Sequence, residues 1–399
     1  MLQSQLDIYN NSSSSQKEAL LKLYALIDNP NRTLLDVLET MPKNDTIITN
    51  TTKAWSIINS PKYAGETVLC SISGGSDSDI MLDICVRCDK SKHITYVFFN
   101  TGLESEATHR HLDFLEKKYD IHIIRKRPQK PIPLATKLYG IPFLSKNVSE
   151  YMSRLQKYGF QWENEPLDIL LERYCKKADE ILAAQLEKDA INGKTVKWVK
   201  YNGSWYKGCV SALMWWCNAK KDYENESSMF DINHNPGLKD FIMLNPPKFA
   251  ISNKCCKYAK KDLIHNMIKE MDCKLNIVGV RKAEGGARAT AYKNCYSRDN
   301  ETTDQYRPIF WYSNRDKEEY KQYCGIQNSD CYEIYGMKRT GCAGCPYALG
   351  LKQELEIFKK YEPKLYDAII HVFGPSYEYT DKYKEYQKER KIAKKEKIK

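Results

Sequence analysis

Thr67-Val68-Leu69-Cys70-Ser71-Ile72-Ser73-Gly74-Gly75-Ser76-Asp77-Ser78-Asp79 is the stretch that decides the fold. Thr67–Ser73 is a short apolar run that reads as a buried strand, Gly74-Gly75 ends it, and Ile80–Val86 reads as a helix. A strand, a glycine turn and a helix in that order make an anion cradle. Glycine lets backbone N–H groups turn toward a ligand, and the helix adds its positive N-terminal end. Ser73, Ser76 and Ser78 can donate hydroxyl hydrogen bonds to phosphate oxygens, and Asp77 is a candidate Mg²⁺ ligand. No Gly-Lys-Ser/Thr follows, so this is not a Walker A loop, and the spacing is not that of a dinucleotide GxGxxG. The plain alternative is a serine-rich turn that caps a helix.

The same alternation continues outward. Ile94–Phe99 reads as a second strand, followed by Asn100-Thr101-Gly102 and a helical Glu104–Tyr119; Ile121–Ile124 reads as a third strand and Leu275–Val280 as a fourth. This predicts an α/β fold with a parallel sheet. Upstream, Gln16–Ile27, Leu34–Leu38 and Trp55–Ile58 predict helices. Between about Ser145 and Asn245 the strand alternation stops. There Leu167–Leu186 reads as a long helix and Gly203–Asn218, with Trp205, Trp215 and Trp216, as an aromatic packed segment. The expected organisation is a helical region over 1–64, a nucleotide-binding α/β domain over 65–145 and 250–348, a helical, aromatic insertion over 146–249, and a helical end with a basic tail over 349–399. The tail Lys382–Lys399 reads as a solvated, frayed terminus.

Composition bounds the function. The chain has 399 residues, 42% hydrophobic and 28% charged, which suits a globular protein of two or three units and excludes collagen, coiled coil and global disorder. No apolar run is long enough to span a bilayer and Met1–Asn11 lacks the pattern of an export signal, so the expectation is a soluble, cytoplasmic protein with no membrane partner. The formal charge is +11, but the tail Lys382–Lys399 holds nine Lys/Arg against three Glu. Anion affinity in the body is therefore expected to be local, and the tail is the candidate long-range contact for nucleic acid.

The motifs carry a resemblance. SISGGSDSD resembles the PP-loop, SGGxDS, of the ATP-pyrophosphatase and sulfonucleotide-reductase superfamily. Further landmarks follow in that family's order. Asn100-Thr101-Gly102-Leu103-Glu104 is similar to its TG-E turn, Gly279-Val280-Arg281 with Arg288 seven residues on to its GxR…R element, and Pro308-Ile309-Phe310-Trp311 to its P-hhW stretch. Tyr335–Pro346, YGMKRTGCAGCP, is similar to its G-xRxGCxxCP ending. The resemblance is to the phosphoadenosine phosphosulfate (PAPS) reductase-like branch and covers about 65–145 and 250–348. It implies an adenine nucleotide α-hydrolase-like fold and an adenine nucleotide held by Ser73, Gly74, Gly75, Ser76, Asp77, Ser78, Thr101, Gly102, Glu104, Gly279 and Arg281. Asp77, Arg281 and Arg288 are the catalytic candidates, the arginines because a guanidinium grips phosphate in bidentate fashion.

Of 14 cysteines, Cys255-Cys256 and the CxxC pair Cys342/Cys345 have the spacing to converge on one centre. Members of this branch with CC…CxxC resemble the chain and hold a [4Fe–4S] cluster on those positions; zinc is the alternative, uncoordinated thiols the third reading. Cys85-Val86-Arg87-Cys88 lies on a helix that must pack on the sheet and reads as buried and structural, and His109 and His111, two apart, point to different faces.

Assimilatory reductases resembling this chain also carry a nucleophilic cysteine in an ECGLH-like C-terminal segment; here the last cysteine is Cys345. The expectation is therefore a PP-loop enzyme more like the Dnd-type phosphorothioation subunit. It would cleave ATP to AMP and pyrophosphate, with Mg²⁺, and activate a substrate, nucleic acid among the candidates, for sulfur transfer from a donor or partner protein. The alternatives are a PAPS or adenosine phosphosulfate reductase using another thiol, and a non-catalytic nucleotide-sensing subunit.

Overall fold

The computed structural model describes residues 1–191, 200–201, 205–219, 230–285, 291–298 and 303–396. By internal contacts the chain forms two units, one of 1–131, 258–343 and 356–365, the other of 132–257, 344–355 and 366–399.

The first unit is mixed α/β around a six-stranded sheet. Its strands are β1 (Val68–Ile72), β2 (Ile94–Phe99), β3 (Ile123–Lys126), β4 (Leu275–Val278), β5 (Tyr296–Ser297) and β6 (Asp304–Tyr306). Their order is β3-β2-β1-β4-β6-β5, with only the β5–β6 pair antiparallel. β1 and β2 are almost wholly buried, as strands covered on both faces must be, and both read as continuous apolar runs. β1 is flanked by β2 and β4, so the strand order reverses there. A crevice at such a switch point, outside the carboxyl ends of the strands, is where open α/β sheets bind ligands.

The third strand begins two residues later than its apolar run predicts. Asp120 ends the preceding helix in the left-handed region (φ 51°), and the Glu116 carboxylate takes the Ile123 N–H at 2.7 Å, so Ile121-His122 is spent on the turn. The N-terminal helices share the core of this unit. Leu20, Leu23 and Tyr24 of the helix Ser14–Ile27, and Ile47, Ala54 and Ile58 of the helix Asp45–Ile58, are buried in one cluster with Val68 and Ile72. Each buried leucine, isoleucine or valine among these contributes about 1.5–3 kcal/mol by burial. The helix Asp45–Ile58 starts ten residues before its sequence signal at Trp55, because the Asn44 side chain caps it by accepting from the Ile47 N–H at 3.2 Å.

Among its described residues the second unit is mainly helical, with a short hairpin of Lys200–Tyr201 and Trp205–Tyr206. The long helix Leu167–Ile191 and the helix Lys207–Trp216 belong to it. Trp215 and Trp216 are fully buried, and the Trp216 indole donates to the Glu163 carbonyl at 2.8 Å; these two are core, as their apolar bulk suggests. The side chain of Trp205 lies outside the described residues. One expectation is corrected. As far as Glu396 the basic tail is not frayed, for the helix Pro363–Glu396 runs through it. Tyr379 and Tyr383 are buried in the core of the second unit, their hydroxyls donating to the carbonyls of Asn245 at 2.6 Å and Pro236 at 3.1 Å. The aromatic face anchors what the lysine count alone made look loose.

Candidate active site

The glycine turn leaves β1 and enters the helix Ser76–Cys88, whose first turn carries Asp77 and Asp79. Gly74 sits at φ 64°, and a Cβ there would meet the Thr108 methyl at 2.9 Å, so conformation and space both require glycine. The Ser78 hydroxyl accepts from the Ser73 N–H at 2.9 Å and folds the turn back on itself. Gly279, just past β4, lies so close that a Cβ would stand 3.2 Å from Ser78 Cα. The structure thus brings Ser73–Ser78 and Gly279–Arg281 together at the switch point.

Asp77 is the electrostatic centre of this arrangement. Its Oδ2 accepts from Arg281 Nε at 2.9 Å, and its Oδ1 pairs with Lys317 Nζ at 2.7 Å. Arg281 is buried, and its Nη1 donates to the Asn314 side chain at 3.0 Å and the Tyr312 carbonyl at 3.4 Å. The arrangement does not fit Asp77 as a resident Mg²⁺ ligand. Both oxygens already face cations, and a divalent ion would have to displace one while standing against the other.

A second layer comes from the segment 332–343. The Tyr332 hydroxyl accepts from the Ser76 N–H at 3.4 Å and the Thr340 N–H at 3.2 Å, and a Cβ on Gly75 would lie 3.1 Å from the Thr340 hydroxyl. An oxygen held by two backbone N–H groups beside the turn sits where an anionic oxygen would be favoured. The Ser76 hydroxyl is buried with no hydrogen-bond partner in the structure, a donor in want of an acceptor. Burial pushes the Tyr332 phenol above its ordinary pKa, so it stays protonated.

On the neighbouring strand, Thr101 follows β2 and its hydroxyl donates to Glu104 at 2.6 Å, while Asn100 takes the Gly102 N–H at 2.9 Å. Burial raises the Glu104 pKa, against the opposing pull of Lys260. The Leu103 carbonyl accepts from the Ala343 N–H at 2.9 Å, which ties the start of the CxxC segment to this turn. His111 pairs with Asp79 at 2.9 Å whereas His109 edges onto Phe98, so the two histidines diverge as expected. A cavity of about 930 Å³ bordered by Arg110, His111 and Lys321 includes none of residues 73–78.

Arg288 lies outside the described residues. Cys342 belongs to the first unit, and Cys255, Cys256 and Cys345 to the second. Those three act together on the Tyr347 phenol, whose pKa is raised chiefly by burial and further by the three thiols. In kind they suit a thiolate-bound centre. In placement, among the described residues, no three Cys, His, Asp or Glu side chains form a metal-holding group. Gly344, inside the CxxC, has φ 63°, and a Cβ would overlap the Ile369 side chain. Cys70, Cys85 and Cys88 are fully buried, in keeping with a packing role.

What the sequence did not reveal is Lys317, with Asn314, Tyr332 and Thr340. Lys317 follows a Ser313 cap in an ordinary charged helix, Asn314–Tyr323, and no local signal sets it apart.

Residues 67–177 match the phosphoadenosine phosphosulfate reductase domain. That domain match takes in the glycine turn and Thr101–Glu104, and ends before Gly279, Arg281 and the paired cysteines. The chain is also similar to an uncharacterized protein of Methanocaldococcus jannaschii, 36% identical over 86 residues. That similarity covers 22% of this chain and 18% of that protein's length. A crystal structure of PAPS reductase from Candida auris, a phosphate complex, aligns with a TM-score of 0.34 at 12% identity, over 79% of this chain and 93% of that one. Among the described residues no helix is long and apolar enough to cross a membrane.

Proposed function

We propose that this chain is a PAPS reductase-like PP-loop enzyme that cleaves ATP between the α and β phosphates and so activates an acceptor for sulfur transfer. The observation that carries this reading is Asp77 holding Arg281 and Lys317 beside the glycine turn. Cleavage at that bond builds negative charge on departing pyrophosphate. Two cations, turned backbone N–H groups and a helix N-terminus are what stabilises such charge. In this reading magnesium arrives with the nucleotide as its counter-ion, Ser76 and Ser78 offer hydroxyls to the phosphates, and Thr101–Glu104 borders the nucleoside side.

The acceptor in this reading is an oxygen that attacks the α-phosphorus as pyrophosphate leaves. The adenylate formed there leaves when sulfur displaces it; nucleic acid is one candidate acceptor and a partner protein one candidate sulfur source. Cys255, Cys256, Cys342 and Cys345 are proposed ligands of a [4Fe–4S] cluster, with zinc as the alternative. The support is their exclusively thiol character and the Tyr347 neighbourhood that three of them share. Such a cluster, when bound, supplies one-electron chemistry.

Two measurements test this. Anaerobically purified protein should release pyrophosphate from MgATP in the presence of an acceptor, and Asp77→Ala should lower that release about 100-fold or more. Absence of release across nucleic-acid and small-molecule acceptors would overturn the reading. An ultraviolet–visible spectrum with iron and sulfide analysis separates cluster from zinc. The domain match over 67–177 favours one competing reading, sulfonucleotide reduction. Sulfite release from PAPS or adenosine phosphosulfate with thioredoxin, without pyrophosphate release from ATP, would select it.

A further inference from the structure

The pairing at Asp77 has a chemistry of its own. A lone carboxylate needs one cation for balance; this one has two, at 2.9 Å and 2.7 Å, and the three charges leave a net positive site at the N-terminus of the helix Ser76–Cys88. Arg281 and Lys317 would repel each other without Asp77 between them. The carboxylate therefore holds two like charges close together. Arg281 is further fixed by Asn314, whereas the Lys317 ammonium, with three N–H donors, stands 2.7 Å from an Asp77 oxygen without a directed hydrogen bond to it. The Lys317 side chain is 17% exposed and Asp77 15%, against 7% for Arg281, so Lys317 stands at the open side.

We infer that Lys317 is a phosphate-binding residue of this site and that Asp77 positions it, in place of the metal-ligand role its residue type suggests. The inference rests on the proposed reading of the turn as a pyrophosphate site, and it adds a second cation from the helix Asn314–Tyr323. A terminal phosphate entering the turn takes the ammonium donors while Asp77 keeps the lysine and Arg281 at their spacing. The competing role is structural, an ion pair that merely ties this helix to the turn.

The test is calorimetric titration of the full chain with inorganic pyrophosphate and with ATP, at two salt concentrations. Lys317→Gln should bind pyrophosphate at least tenfold more weakly and with a shallower salt dependence, and Lys317→Arg should recover most of the loss. On the unaltered protein, amine acylation followed by peptide mass spectrometry should show Lys317 protected by pyrophosphate while Lys321, one turn on, is not; this readout needs no variant to fold. Wild-type binding with Lys317→Gln binding equally, or with Lys317 unprotected, overturns the inference alone. A wild-type chain that binds neither ligand overturns the pyrophosphate reading and this inference with it.

Discussion

The glycine turn and the cysteine neighbourhood are both candidate sites, but they are built in opposite ways. At the turn the counter-charges are already in place. Arg281 hydrogen-bonds one Asp77 oxygen, Lys317 pairs by charge with the other, and the Tyr332 hydroxyl caps a turn N–H. Around Tyr347 three thiols share an environment, yet among the described residues no metal-holding group of three is gathered. The difference follows from charge. A phosphate site is cationic and can be pre-assembled by one internal carboxylate. A site proposed on thiolates is anionic, and metal binding to it is coupled to the loss of the thiol protons.

The largest effect should come from Gly344→Ala. If the cysteine loop were loose until loaded, alanine would be tolerated. The left-handed backbone and the overlap with Ile369 predict instead a loss of about 3 kcal/mol or more, or insoluble protein. A melting temperature equal to wild type would show that the CxxC backbone is not fixed by this packing. Gly74→Ala tests the other side. The positive φ and the Thr108 methyl predict destabilisation of about 1–3 kcal/mol, with weakened nucleotide binding as the turn shifts, measurable by denaturant titration and calorimetry. An unchanged turn would mean that its shape is not fixed in advance.

The smallest effect concerns Glu104, whose pKa burial raises. The folded chain then holds a proton that the unfolded chain has released. Stability should fall as pH rises from the unfolded value near 4.5 through the raised one, and Glu104→Gln should flatten that slope. Parallel pH–stability curves for the two proteins would remove Glu104 from the account of the turn.

Much of the first region was legible in the chain. Val68–Ile72, the double glycine and the helix after it announce themselves within about twenty residues, because local apolar patterning and glycine chemistry are local signals. The later landmarks at Thr101 and Gly279 could be ordered along the sequence, and the parallel sheet brings Gly279 against Ser78. Lys317 could not be read. Its meaning comes from Asp77, 240 positions earlier, and a lysine on a charged helix looks alike whether it faces water or a carboxylate. The tail misled for a similar reason. Charge density suggested fraying as well as solvation, while the fixing contacts are tyrosine hydroxyls on carbonyls far away in sequence.

The centre of the sheet also has a history in time. β1 pairs with β4 in register from Val68 to Leu275, so 207 positions separate partners that lie side by side. On a ribosome adding about 5–20 residues each second, β1 waits roughly 10–40 s for that neighbour to be synthesised. During that interval one edge of the central strand is an open template for wrong pairing. The glycine turn, whose second wall follows β4, can be completed only when that wait ends.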